Sequence, residues 1–119
     1  MNIEEFREYC ISKKGITEEF PFDEKTLVFK VMGKMFALVA LERLPSQVNL
    51  KCDPERAIAL REEYDGDVIP GYHMSKVHWN TVLLGNLPPK LILDLVDHSH
   101  DLVVSKFTKK LKAEFDALG

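Results

Sequence analysis

His98-Ser99-His100-Asp101 is the text in this chain most suggestive of metal chemistry. Loops of the His-x-His-Asp kind ligate because an extended backbone lets alternate side chains converge on one ion. Here the four residues fall inside a helical pattern, where positions two apart point about 200° apart. His98 and His100 then cannot share an ion, and both are assigned to structure. His73 and His78 flank Met74-Ser75-Lys76-Val77, a spacing that suits no helical zinc motif and brings no third ligand. Thiolate chemistry at Cys10 or Cys52 needs a depressed pKa, and neither has a cationic partner on its own face. Glu4-Glu5, Glu18-Glu19 and Glu62-Glu63 are adjacent pairs whose carboxylates diverge on a helix. There is no glycine-rich phosphate loop and no Gly-x-Ser-x-Gly elbow. No enzyme, metal or cofactor is expected.

Binding chemistry is better represented. Asn49 and Lys51 leave the outer side of one strand, and His78 and Asn80 leave a face of another. Tyr72, His73 and Lys76 approach through the loop before that second strand. Trp79 follows directly, with a default role in the core. Hydrogen-bond donors, cations and a stacking ring together make a nucleic-acid inventory. The competing reading is an ordinary polar sheet surface, with Lys76 in a solvated turn.

The elements that must position these residues follow from periodicity and punctuation. Ile3, Phe6 and Cys10 recur at helical spacing, with Asn2 as N-cap and Lys13-Lys14-Gly15 as a cationic end. Ile16 to Asp23, containing Phe20-Pro21-Phe22, is extended because proline restricts its predecessor. Leu27, Phe29 and Val31 alternate as a half-buried strand, and Gly33 turns the chain. Met35 to Leu41 is almost wholly apolar, as a central strand is. Gln47 to Cys52 alternates again, with Val48, Leu50 and Cys52 inward. Asp53-Pro54-Glu55 starts a helix that runs to Asp65-Gly66. Val68 to Gly71 is an extended loop or edge segment, and His78 to Leu84 is a strand. Pro88-Pro89 opens a long helix with Leu91, Leu95, His98 and Leu102 in one stripe, beside Ile92, Val96 and Val103. Thr108 caps a last helix carrying Leu111, Phe115 and Leu118. The predicted fold is α+β and two-layered, in the order α-β-β-β-α-β(β)-α-α, with an antiparallel sheet and its helices on one face.

At 119 residues the chain forms one domain spanning 1–119, with one core. No apolar run approaches the roughly 20 residues of a membrane span. The acidic, amphipathic start is unlike a secretory signal, so a cytoplasmic location without membrane contact is expected. Cys10 and Cys52 then serve as small buried hydrophobes rather than a disulfide. Net charge is −3, which excludes indiscriminate attraction to phosphate. The charge is uneven. Residues 1–66 carry 10 basic and 13 acidic side chains, and residues 67–119 carry 6 of each. A local basic patch is allowed and a global one is not.

Several segments resemble the MmcQ/YjbR family. They are Phe20-Pro21-Phe22, Val28-Phe29-Lys30-Val31, Gly33-Lys34-Met35-Phe36, Asn49-Leu50-Lys51-Cys52-Asp53-Pro54, Arg61, and Gly71-Tyr72-His73-Met74-Ser75-Lys76-Val77-His78-Trp79. Ser99-His100-Asp101-Leu102-Val103 and Thr108-Lys109-Lys110 match less tightly, since tyrosine is commoner where His100 stands. The resemblance implies a two-layer α/β fold, an antiparallel sheet with helices on one side, grouped with CyaY-like and secretion-chaperone-like folds. It also implies DNA binding, by analogy with a double-wing-like arrangement.

Three functional expectations follow. The first is a small DNA-binding or DNA-associated regulator whose contact surface is Asn49, Lys51, Tyr72, His73, Lys76, His78 and Trp79. In it lysines meet phosphates, Tyr72 or Trp79 stacks on bases, and Asn49, His73 and His78 donate hydrogen bonds. The second is a protein-interaction module or self-associating dimer, using a sheet edge or the apolar stretches Phe20-Pro21-Phe22 and Met35 to Leu41. The third is an unrecognised enzyme or small-ligand binder built on His73 and His78.

Overall fold

Alternation along the strands decides which side of the sheet the helices cover. The computed structural model describes all residues, Met1–Gly119. In chain order the elements are α1 (Ile3–Ile11), β1 (Ile16–Glu19), β2 (Thr26–Val31), β3 (Lys34–Ala40), β4 (Gln47–Lys51), α2 (Pro54–Glu63), β5 (Val68–Pro70), β6 (Trp79–Leu83), α3 (Pro89–Ser105) and α4 (Lys109–Asp116). One six-stranded sheet runs β1-β2-β3-β4-β6-β5, and every neighbouring pair is antiparallel. This is the expected α+β architecture with helices on one face. The extended stretch after the first helix pairs as edge strand β1, and Val68–Pro70 forms the opposite edge. No helix is long and apolar enough to cross a membrane.

The caps are those the residue types call for. Asn2 Oδ1 accepts from the Glu5 amide at 2.8 Å while Glu5 Oε1 accepts from the Asn2 amide at 3.2 Å, a reciprocal capping box. Asp53 accepts from the Arg56 amide at 3.1 Å, and Thr108 from the Leu111 amide at 3.2 Å. Helix α1 stops at Ile11, so Lys13 and Lys14 lie beyond it rather than in its last turn. Lys13 Nζ instead meets Asp97 Oδ1 of α3 at 2.5 Å, beside the Tyr9 hydroxyl, which donates to the same oxygen at 2.6 Å.

Leu27, Phe29, Val39, Val48, Leu50 and Val82 turn inward and meet Phe6 of α1, Leu60 of α2, Ile92 and Val96 of α3, and Phe115 of α4. One irregularity shapes this core. Phe29 pairs with Ala37, but Lys30 pairs with Met35, so Phe36 is an extra residue in β3. Such a bulge sets two successive side chains against the same layer, and both Phe36 and Ala37 join the main core. The β3–β4 register ends at Ala37 and Leu50, so the carbonyl of Phe36 and the amide of Lys51 lack each other. Ser99 of α3, fully buried, fills the gap: its Oγ donates to Phe36 O at 2.5 Å and accepts from the Lys51 amide at 3.0 Å.

That bridge corrects the expected helix stripe. The buried line of α3 is Ile92, Leu95, Val96, Ser99, His100 and Val103, while His98 and Leu102 are half-exposed. A count of apolar residues cannot see two backbone groups that need a hydroxyl, and the helix is turned to deliver it. His98 and His100 do point to different places. His98 Nε2 accepts from the Asp53 amide at 3.1 Å, whereas the His100 ring stands edge-on to Phe36 with centroids 5.5 Å apart.

Candidate functional site

The face of the sheet opposite the helices is covered by no element, and its residues are set by register. Asn49 pairs with Thr81 and Lys51 with Trp79, so all four share this open face. Leu38 lies between Val28 and Asn49 in the same row. Val28, Leu38 and Trp79 form a second, small apolar cluster here, with Met35 and Met74 packed on it.

The loop between β5 and β6 folds over this face and is tied down by a ring of hydrogen bonds. The Tyr72 amide donates to Thr81 Oγ1 at 3.0 Å, Thr81 Oγ1 donates to Asn49 Oδ1 at 2.5 Å, and Asn49 Nδ2 donates to the Tyr72 carbonyl at 3.2 Å. Each donor and acceptor in the ring is used once, which specifies its geometry. Between this loop, the β3–β4 connection and the segment before β2 lies a cleft of about 410 Å³. Leu38 and Ala40 line its floor, Tyr72, His73 and Met74 one wall, and Phe22 and Asp23 another.

An aromatic and cationic stack stands at the cleft wall. The Tyr72 and His73 rings lie with centroids 4.0 Å apart, and the Arg43 guanidinium sits 3.9 Å from the centre of the Tyr72 ring. Tyr72 remains 48 % exposed and Phe22 64 % exposed. Backbone amides of Lys25 and Thr26, both donating to Asp23 Oδ1 at 2.8 Å, hold the Asp23 carboxyl below its ordinary range. The site therefore offers two exposed aromatic side chains, one guanidinium, one carboxylate and an apolar floor.

Of the residues singled out from the sequence, Asn49, Tyr72 and His73 line the cleft, and Lys51 lies on the same face one register step away. Lys76 and His78 are exposed further along the loop and do not line it. Trp79 is only 8 % exposed, beneath the loop, so its ring is not free to stack on a base. Asn49 spends its amide on the loop rather than presenting it outward. Asn80 belongs to the opposite face: it is buried, accepts from Arg61 Nε at 2.7 Å and donates to the Ala57 carbonyl at 3.4 Å. The reason is alternation, since Trp79 and Thr81 take the open side and Asn80 must take the other. Met35 to Leu41 is enclosed between β2 and β4, which removes most of it as a contact surface. Phe22, Asp23, Thr26, Arg43 and Gln47 complete the lining and were not expected there. Phe20-Pro21-Phe22, apolar yet outside any periodic run, was the one available signal.

The cysteines carry no activated thiol. Burial pushes the Cys10 thiol up to about 12 and also raises that of Cys52, and both are free.

Comparison with known proteins places this geometry in a family. The family model described as YjbR matches residues 11–102, a span that holds the whole cleft and the loop over it. The chain is 40 % identical over 107 residues to the protein YjbR of Escherichia coli (strain K12), covering 88 % of this chain and 89 % of that protein. It is 37 % identical over 92 residues to YbdF of Escherichia coli O157:H7, covering 76 % and 75 %. The crystal structure of Deinococcus radiodurans protein DR2400, described with the domain DUF419, superposes with a TM-score of 0.89 at 40 % identity, over 97 % of this chain and 88 % of that one. A Pseudomonas syringae protein superposes with a TM-score of 0.73 at 31 % identity, over 86 % and 98 %. On sequence match, coverage and fold alike, the chain belongs to the MmcQ/YjbR family.

Proposed function

We propose that the protein is a DNA-associated regulator whose open-face cleft takes DNA as a single strand, one unpaired base at a time. The observation that carries this is the pair of exposed rings, Phe22 and Tyr72, on two walls of a cleft of about 410 Å³, with the Arg43 guanidinium over Tyr72. Every base has a π-face, and stacking on an aromatic ring is tolerant of sequence. Arg43, with Lys51 nearby, supplies charge for a backbone phosphate. The same inventory argues against duplex. Tight duplex binding neutralises many phosphates, whereas here Asp23 shares the cleft, Lys30 is committed to Glu19 and Lys25 to Glu42.

Fluorescence anisotropy of a labelled strand and of the duplex of the same sequence, with salt stepped at each, tests the reading. The strand is expected to bind more tightly, with log K falling against log[salt] at a slope of about −0.7 to −1.4, as one or two phosphate contacts give. Tyr72→Ala is expected to cost about 1–3 kcal/mol of that binding. Absence of strand binding at low salt, or equal affinity for duplex, sinks the proposal.

A second reading is a protein-interaction module, favoured by the exposure of Phe22 at the cleft and of Phe20 and Leu44, each close in sequence to a residue that lines it. Light scattering across concentrations, with a pull-down, separates the two. A strict monomer that recovers no partner counts against it.

A further inference from the structure

Arg61 belongs to α2, on the helical side of the sheet, yet its guanidinium reaches the loop that frames the cleft on the other side. Nε donates to Asn80 Oδ1 at 2.7 Å, while Nη2 donates to the Lys76 carbonyl and, at 3.5 Å, to that of Trp79. Asn80 is itself tied back to α2 through the Ala57 carbonyl at 3.4 Å. The loop's own backbone adds Met74 N to Gly71 O at 3.3 Å, His78 N to Ser75 O at 3.3 Å and Trp79 N to Ser75 O at 2.9 Å, while Gly71 N to Trp79 O at 2.9 Å and Cys52 N to His78 O at 2.8 Å pin its two ends. Within it His73 holds a φ of 58°, the left-handed region that few residues other than glycine adopt, histidine more readily than most. Tyr72 and Met74 secure the loop on the open side, and Arg61 is its anchor from behind.

We infer that Arg61 is a positioning residue for the cleft, fixing the Tyr72–His78 loop so that His73 keeps its left-handed backbone and Tyr72 stays under Arg43. A guanidinium suits this task because its rigid fork donates from Nε and Nη2 to a side-chain oxygen and a main-chain carbonyl together. A lysine ammonium carries the same charge as a point and cannot span both. The anchoring stands on these contacts alone, and only its consequence for binding rests on the single-strand reading above.

The test compares wild type with Arg61→Lys and Arg61→Met, by amide hydrogen exchange and by anisotropy with a labelled single-stranded oligonucleotide. Exchange at residues 72–78 is expected to accelerate by about tenfold or more in both variants, while amides of β2 and α3 keep their protection. Oligonucleotide affinity is expected to fall in Arg61→Met, and the double variant with Tyr72→Ala to bind no worse than Tyr72→Ala alone, because Arg61 acts through that ring. Unchanged loop exchange overturns the inference, as does loss of protection throughout the core, which would make Arg61 a general structural residue. Additive losses in the double variant also overturn it. Faster loop exchange in a protein whose wild type binds no oligonucleotide upholds the anchor and rejects the ligand.

Discussion

Where Gly71 stands, a β-carbon would lie 2.8 Å from Trp79 Cβ and 2.9 Å from the Trp79 carbonyl oxygen. These are atoms next to or within the backbone of a paired strand, so they cannot swing aside as a side-chain tip does. The approach is close because the Gly71 amide donates to that same carbonyl at 2.9 Å, extending the β5–β6 ladder into the loop. Gly71→Ala is expected to destabilise the fold by about 1–3 kcal/mol, the usual cost of forcing an extra methyl into a packed site. Urea unfolding followed by the emission of Trp79, the single tryptophan, reads this directly, as a lower midpoint with an unchanged slope. A midpoint equal to that of wild type would show that the loop yields. Glycine at this position was visible in the sequence as one letter of a loop; the strand residue it must avoid was not.

Helix α3 shows how an element is set by groups outside it. Ser99 satisfies the Phe36 carbonyl and the Lys51 amide at the point where β3 and β4 separate, and Ser99 and Phe36 are both fully buried. Removing the hydroxyl leaves one acceptor and one donor without partners in the core. Each unsatisfied group costs about 1–3 kcal/mol, so Ser99→Ala is expected to lose about 2–6 kcal/mol in total. Ser99→Thr, which keeps the hydroxyl, separates that loss from mere crowding: chemical denaturation should show the threonine variant recovering part of the stability. Helix starts were legible, because Asn2, Asp53 and Thr108 accept amides a few residues on and Pro54 and Pro89 suit a first turn, whereas α1 and α2 end at Ile11 and Glu63, short of the expected glycine ends. The rotation of α3 was not, since the bulge at Phe36 that demands Ser99 lies 63 residues earlier.

For the whole molecule, the titrating groups bracket a window of stability. Burial, reinforced by Arg56, lowers the His98 pKa, and the neutral ring accepts the Asp53 amide. The unfolded chain therefore binds a proton more readily than the folded one, and the His98 contribution is complete above pH 6.5 and lost as pH falls below it. At the alkaline end the signs reverse. Burial raises Cys10, and the hydrogen bond to Asp97 raises Tyr9, each to about 12. Their contribution is complete below the unfolded values of 9.0 and 10.0 and declines as pH rises towards 12. Urea midpoints measured from acid to alkaline pH are expected to trace a plateau with both limbs. His98→Gln should flatten the limb just below pH 6.5 while leaving the alkaline limb in place. An unchanged acid limb would assign it to the carboxylates instead.

Residue order alone determined the α+β class, the sequence of elements, the inward set Val48 and Leu50, and the outward placement of Asn49 and Lys51. Those depend on period-two or helical spacing and on caps, all written within a few residues of one another. Tertiary structure alone decided that Trp79 and Thr81, rather than Asn80, share a face with Asn49. It also decided that Phe22, Arg43 and Tyr72, from three separated segments, enclose one cleft. Periodicity encodes whether a side chain faces water or core; which distant backbone stands opposite is settled only when the strands choose partners and register.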